Sequence, residues 1–290
     1  MNELISIIIP TYNQGEFLER CLKSISSQSY KNFEIIVIDN ASTDNTKSIV
    51  DKFNYLPLKY LVNKNKGMIA QSRNLGIQKA SGDIIAFLDS DDYWENDKLH
   101  LCYEKIRQGY DFVFHDLKIS GNNISIFKKK LKGRVLRKPY YKDLIINGNT
   151  ISNSSVLIKK KFLIKINLIN ESKKMKASED YNTWIKILRE TDNFFYINEC
   201  LGFYQYNLEG VSRKNMSYCT FNAIKEFVHL LDNKEKNYTM SRIFYMSAKY
   251  FFENKKYNYC YNKFKISFKH GKMKIKCKSI YYLLILLFKN

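Results

Sequence analysis

Three apolar runs that end abruptly in polar clusters do most to limit how this chain can fold. Residues 4–9 (LISIII) stop at Pro10-Thr11-Tyr12-Asn13, residues 34–38 (EIIVI) run into 39–44 (DNASTD), and residues 83–88 (DIIAFL) run into 89–92 (DSDD). Apolar runs without period-two alternation are strands buried on both faces. The segments between them read as helices. Phe17, Leu18, Cys21, Leu22 and Ile25 share one face after Gly15, a second helix ends near Phe53, and a third covers residues 68–79 after Gly67. One more strand falls at 58–62. Strand–helix units of about 25–30 residues call for a parallel sheet with right-handed crossovers. Ligands of such sheets bind beyond the carboxyl ends of the strands. The polar clusters lie at those ends, so one edge of the sheet collects them.

Beyond residue 110 the pattern loosens. Strands are expected at 110–119, 151–158, 194–197 and 201–206, an amphipathic helix at 179–190, and helices at 223–231, 241–253 and 257–268. The expected organisation is an α/β catalytic domain over 1–214, with halves 1–109 and 110–214, followed by a basic helical appendage over 215–290.

Charge singles out that appendage. The net charge is +20, and residues 251–290 hold ten lysines against the single acid Glu253. Such a surface suits an anionic partner: a membrane, a nucleic acid or a diphosphate-bearing substrate. The chain is also rich in Lys, Asn, Ile and Tyr throughout, so part of the charge is general composition. No recognised nucleic-acid-binding motif accompanies the lysines, and nucleic acid is not expected as a partner. The longest apolar run, 280–288 (IYYLLILLF), falls short of the roughly 20 residues that span a bilayer. It reads equally as a helix in the membrane interface or as one capping the core. Six scattered cysteines form no C-x-x-C pair, and the sequence opens directly on a strand with no leader pattern. A reduced cytoplasmic protein, peripheral on the inner face of the membrane, is the expectation.

Chemistry concentrates at DSDD. Crowding Asp89, Asp91 and Asp92 at a strand end is costly unless a cation neutralises them. Mg²⁺ or Mn²⁺ takes oxygen ligands and keeps positions open for substrate phosphates. A solvated acidic turn before a helix is the alternative.

Residues 6–44 (SIIIPTYNQGEFLERCLKSISSQSYKNFEIIVIDNASTD), 65–92 (NKGMIAQSRNLGIQKASGDIIAFLDSDD) and 177–187 (ASEDYNTWIKI) together resemble, in order and spacing, the family 2 glycosyltransferases. The resemblance implies an α/β fold of the GT-A type, a Rossmann-like and mostly parallel mixed sheet flanked by helices. It implies inverting transfer from a UDP-sugar to a glycan acceptor, expected to be lipid-diphosphate-linked, in bacterial surface polysaccharide synthesis. An inactive donor-binding or scaffold protein is the first alternative, and a nucleic-acid-binding module the second. By the same resemblance Pro10, Thr11 and Tyr12 border the nucleobase, Asp39 accepts from the uracil N–H, and Arg73 reaches the base or diphosphate. Asp89 and Ser90 belong to the donor site with Asp89 facing the ribose, and Asp91 holds the metal. Asn40 stands where family members often carry a second acid, which weakens any ribose contact there. Asp180 is the implied base, with Glu179 supporting it or binding acceptor; in isolation both are ordinary acids in a first helical turn. Trp184 is either a platform for the acceptor sugar or a core residue. Many relatives carry a histidine in the loop matching 207–213; here Arg213 is the candidate phosphate contact.

Overall fold

The computed structural model describes residues 3–121, 129–207 and 214–289. Its first four strands are β1 (Ile5–Thr11), β2 (Phe33–Asp39), β3 (Leu58–Val62) and β4 (Ile84–Phe87), linked by α1 (Gly15–Ser26), α2 (Thr46–Asp51) and α3 (Ile69–Lys79). They pair in parallel in the order β3-β2-β1-β4. Every residue of β1, β2 and β4 is buried, as the unbroken apolar runs require. Each Ile or Leu so buried contributes about 1.5–3 kcal/mol of hydrophobic stabilisation. Helix α3 lies unusually close to this sheet. A Cβ on Gly76 would meet Ile8 Cγ2 at 2.6 Å and Ile38 Cδ1 at 2.9 Å.

The chain continues through β5 (Tyr93–Trp94), α4 (Lys98–Arg107), β6 (Phe112–Ser120), β7 (Lys130–Leu131), α5 (Tyr140–Asn147), β8 (Leu157–Lys159), α6 (Lys160–Lys165), α7 (Glu179–Glu190) and β9 (Phe194–Gln205). The sheet extends from β4 through β8, β6 and β9 to β5, with β7 on β6. Here the pairing turns mostly antiparallel, at β4–β8, β8–β6, β6–β7 and β9–β5, while β6–β9 is parallel. The result is the expected mixed α/β sheet.

Three local expectations change, the first being the helix expected at 223–231, where a helix over Ser217–Ile224 gives way to a 3-10 turn over Lys225–Leu230. The strand expected at 151–158 is confined to β8, because Asn153–Ser155 form a 3-10 turn. The two strands expected at 194–197 and 201–206 are one, β9, whose polar middle is absorbed by register shifts opposite Asp116.

By compactness the chain divides into residues Met1–Val135, Thr150–Glu171 and Lys186–Asn207, and a second unit of Leu136–Asn149, Ser172–Ile185 and Leu208–Asn290. This grouping departs from a division near 215. Residues 136–149 and 172–185 go with the C-terminal helices α8 (Ser217–Ile224), α9 (Asn233–Glu253), α10 (Tyr261–His270) and α11 (Met273–Leu287). Buried polar contacts account for it. Tyr181 Oη donates to the Leu144 carbonyl at 2.7 Å, Asn182 Nδ2 to Ala223 O at 2.8 Å, and Arg242 to Ile145 O at 3.1 Å. The helices α9–α11 share their own small core of Ala248, Cys260, Phe264 and Leu286.

Candidate active site

Strand β1 is the topological switch point of the parallel strands, since β2 and β3 lie to one side of it and β4 to the other. The crevice beyond its carboxyl end is therefore the expected ligand position. Thr11 ends β1, Asp39 ends β2, and Asp89–Asp92 follow β4 by one residue. Pro10 and Thr11 are buried and Tyr12 is 55% exposed. The Thr11 hydroxyl, itself buried, has no hydrogen-bond partner among the described residues, an unmet capacity at the carboxyl end of the strand.

Asp39 is held rigidly. Its Oδ1 accepts from the Ser42 backbone N–H at 3.0 Å and hydroxyl at 2.5 Å, and its Oδ2 accepts from Tyr60 Oη at 2.5 Å. Burial, then the bond and charge of Asp39, push the Tyr60 phenol well up, so it stays a donor. Asn40 turns inward to structure: its Oδ1 accepts from Asn65 N at 2.8 Å, joining the exits of β2 and β3.

Carboxylates crowd the end of β4. Arg73 on α3 donates to Asp89 Oδ1 at 2.7 Å, and Asn153 Nδ2 donates to the same oxygen at 3.1 Å. Asp89 Oδ2 takes no hydrogen bond from a described residue. Ser90 donates its hydroxyl to Gln14. Asp91 is half-buried, and its carboxylate takes a hydrogen bond from its own backbone N–H and from no other described residue. Burial and the neighbouring Asp89 charge raise it to about 6, against the partial relief of its own N–H, Arg20 and Arg73. Asp92, buried at 2% exposure, is driven up by burial and by Asp91 and Asp89, although Gln205 N donates to it at 2.9 Å. The field reaches further: after burial itself, Asp92, Asp91 and Asp89 raise the buried Cys21 thiol.

Sequence reading missed the residues that shape this turn. Arg20 on α1 donates to the Asp91 carbonyl at 2.8 Å and to Gln205 Oε1 at 2.9 Å, with its guanidinium 4.2 Å over the Tyr93 ring. Tyr93 in turn stacks on Phe203 at 4.3 Å. Asn153 and Ser154 reach Asp89 from the 3-10 turn, Ser154 Oγ accepting from Asp89 N at 3.1 Å. These partners lie tens of residues away, and no local pattern marks them.

The donor set suits a hard divalent cation bound through Asp91. Its carboxylate is raised by burial and by the Asp89 charge, is half-buried, and takes no hydrogen bond from another described residue. Among the described residues no group of three or more acidic, His or Cys side chains could hold an ion by itself. Such an ion would take most of its oxygens from phosphates and water, which is ordinary for Mg²⁺.

Glu179, Asp180 and Trp184 belong to the second unit. Glu179 and Asp180 open α7; Glu179 is 5% exposed and Asp180 half-buried. Asp180 Oδ1 accepts from Tyr181 N at 2.7 Å and Oδ2 from Asn149 Nδ2 at 3.3 Å. Trp184 is fully buried. Of its two readings the core one holds, because a ring with no exposed face has none to offer a sugar. Arg213 lies outside the described residues.

A family model described as "Glycosyl transferase family 2" matches residues 6–167. The chain is 29% identical to the GalNAc(5)-diNAcBac-PP-undecaprenol beta-1,3-glucosyltransferase of Campylobacter jejuni, over 99% of this chain and 94% of that protein. It is 29% identical to the UDP-Glc:alpha-D-GlcNAc-diphosphoundecaprenol beta-1,3-glucosyltransferase WfgD of Escherichia coli, over 84% of this chain and 90% of WfgD. Glycosyltransferase GlyG of Streptococcus pneumoniae is 39% identical, but over 37% of this chain and only 36% of its own length. Among solved structures, S. aureus TarS 1-349 in complex with UDP-GlcNAc superposes with a TM-score of 0.70 at 19% identity, over 94% of this chain and 83% of that one. The Pyrobaculum calidifontis mannosyltransferase PcManGT, in complex with GDP-Man and Mn²⁺, gives 0.63 at 15% identity, over 98% and 84%. These structural likenesses carry the fold alone.

Proposed function

Because this chain belongs to glycosyl transferase family 2, we propose that it transfers a sugar, with inversion, from a UDP-sugar to a hydroxyl of a lipid-diphosphate-linked glycan in the synthesis of a bacterial surface polysaccharide. The observation that carries the proposal is the Asp91 carboxylate: half-buried beside Asp89, raised to about 6, and without a donor from any other described residue at the carboxyl edge of the sheet. Relatives that act on undecaprenol-diphosphate glycans support the acceptor class.

On this reading Pro10, Thr11 and Tyr12 flank the uracil, and Thr11 supplies a buried hydroxyl with no partner among the described residues. Asp39 accepts the uracil N–H with a carboxylate already oriented by Ser42 and Tyr60. Asp89 meets the ribose with Oδ2, because Arg73 and Asn153 occupy Oδ1. Ser90, anchored on Gln14, fixes the turn between the two carboxylates. Arg73 is a fixed positive charge beside Asp89 and offsets the diphosphate. A bound Mn²⁺ or Mg²⁺ on Asp91 would supply Lewis-acid stabilisation of the leaving diphosphate.

The acceptor hydroxyl must lose its proton as its oxygen bonds the anomeric carbon and UDP departs. Asp180 is the base in this proposal: half-buried, it keeps solvent access, and Asn149 orients its Oδ2. Glu179, buried beside it, supports the helix start. The location follows the substrate, the cytoplasmic face of the membrane.

The test is a panel of UDP-sugars screened for metal-dependent UDP release with a lipid-linked acceptor. One UDP-sugar should be consumed, and chelation should stop release. Asp180→Asn should lower transfer by about 10³-fold or more while UDP still binds. Turnover that survives Asp180→Asn removes the base assignment; release indifferent to chelator removes the metal.

A further inference from the structure

Helix α11 has two opposite faces. Leu286 and Ser279 are buried, and Tyr282 and Leu283 pack on the small core of Ala248, Cys260 and Phe264. The ring of Tyr282 stacks on Phe264 at 4.9 Å. On the other side Met273, Ile280, Tyr281, Leu284, Leu287 and the cap residue Phe288 are exposed, from 44% at Ile280 to 87% at Phe288. Exposed Cys277 lies among them. At 3.6 residues per turn these positions fall within one sector of about 120°, running the ~22 Å length of the helix. A stripe of this extent is uncommon on a soluble surface and marks a contact.

Charge decides what it contacts. On the same helical wheel Lys276 borders one edge of the stripe and Lys274 the other, with Lys272, Lys278 and Lys289 nearby. From residue 254 to the end there is no acid. A second copy of the chain meeting this face about a two-fold axis would set lysine against lysine. A water–lipid boundary with anionic headgroups takes both features together: apolar side chains enter the acyl region, and lysine stems reach back to phosphates. Among the described residues no helix is long and apolar enough to cross a membrane.

We propose that α11 is a membrane-docking helix that lies flat on an anionic bilayer through the Met273–Phe288 stripe, flanked by its lysines. It deepens the reading of a lipid-linked acceptor and rests on that reading for its purpose alone. Vesicle binding and UDP release are separate readouts, so either reading can fail without the other.

The experiment is flotation of the full chain with vesicles of phosphatidylcholine alone or with a third phosphatidylglycerol, at low and high salt. The wild type should float with the anionic vesicles at low salt and less at high salt. Leu284→Asp with Phe288→Asp should reduce the bound fraction about tenfold or more, and Lys274→Gln with Lys276→Gln should weaken it by roughly fivefold per lysine on anionic vesicles. Both pairs change exposed or edge positions, and UDP release onto a water-soluble acceptor should be unchanged. Three results would overturn the proposal: a wild type that stays at the bottom of the gradient, an aspartate pair that floats as the wild type does, or a self-associated wild type that the aspartate pair converts to monomer without vesicles. Flotation that survives the aspartates but not the glutamines would reject the apolar stripe and leave plain charge adsorption.

Discussion

The two ends of the parallel strands treat a carboxylate in opposite ways. At the amino ends, Glu34 accepts from Ser6 Oγ at 2.7 Å, Lys59 Nζ at 2.8 Å and Ser81 N at 2.5 Å. Ser6 Oγ in turn accepts from Gly82 N at 2.9 Å. Burial acts against the Glu34 charge, but these bonds and the Lys59 charge outweigh it and hold the group down at about 2. One acid thereby fastens β1, β2, β3 and the approach to β4. At the carboxyl ends three acids stand within four residues, and Asp91 is raised to about 6 with Arg20 and Arg73 as its partial relief. A carboxylate whose demands the protein meets is a fastener. One whose demands it leaves open is a place for something else.

The largest effect should come from the open end. Asp91→Asn should reduce UDP release by about 10³-fold or more, about 4 kcal/mol of transition-state stabilisation, read by steady-state kinetics. In metal-free buffer its melting temperature should be no lower than wild type, because a like-charge repulsion is relieved. A clear drop in melting temperature with turnover intact would make Asp91 another fastener and break the contrast.

Glu34→Gln should do the reverse. It should lose about 2–3 kcal/mol at pH 7 by denaturant unfolding, a figure reduced for the exposure of Lys59, and keep its kcat. The sign follows from its depressed value. Stabilisation by Glu34 is complete above the ordinary 4.5 and is lost as pH falls toward about 2. The gap between wild type and variant should therefore close on acidification, and a gap that widens would reverse the assignment. The smallest effect belongs to Asn40→Asp. An aspartate can still accept from Asn65 N, so stability should shift by under about 0.5 kcal/mol and donor affinity by a few-fold at most. A large gain in donor affinity would show that Asn40 faces the ribose after all.

How much of this was legible in sequence follows the same division. The apolar runs at 4–9, 34–38 and 83–88 reported β1, β2 and β4 because burial on both faces removes the period-two alternation and leaves few polar residues, Ser6 and Glu34 among them, near the amino ends. The polar clusters were legible for the same reason: each begins where the sheet ends. The partners that give those clusters their electrostatics were not. Arg20 reaches Asp91 across 71 residues and Asn153 reaches Asp89 across 64, and neither residue type signals such a reach. Asn153–Ser155 were instead absorbed into an expected strand, since apolar neighbours on both sides hide a tight turn. Trp184 shows a limit of residue type: a tryptophan one turn after candidate catalytic acids looks alike in sequence whether its ring is bare or fully covered.

Gly76 carries a consequence that outlasts packing. It shares a face of α3 with Arg73, one turn earlier, and its missing side chain lets the helix settle onto Ile8 and Ile38. The arginine's 2.7 Å reach to Asp89 is thus calibrated by a clearance in the hydrophobic interior. A single methyl group there would act as a shim, lifting helix and guanidinium together away from the acid. Drift at an apolar position that touches no substrate would then be read out as lost affinity for an anion, and the tolerance of the chemistry is inherited from the tolerance of the fit.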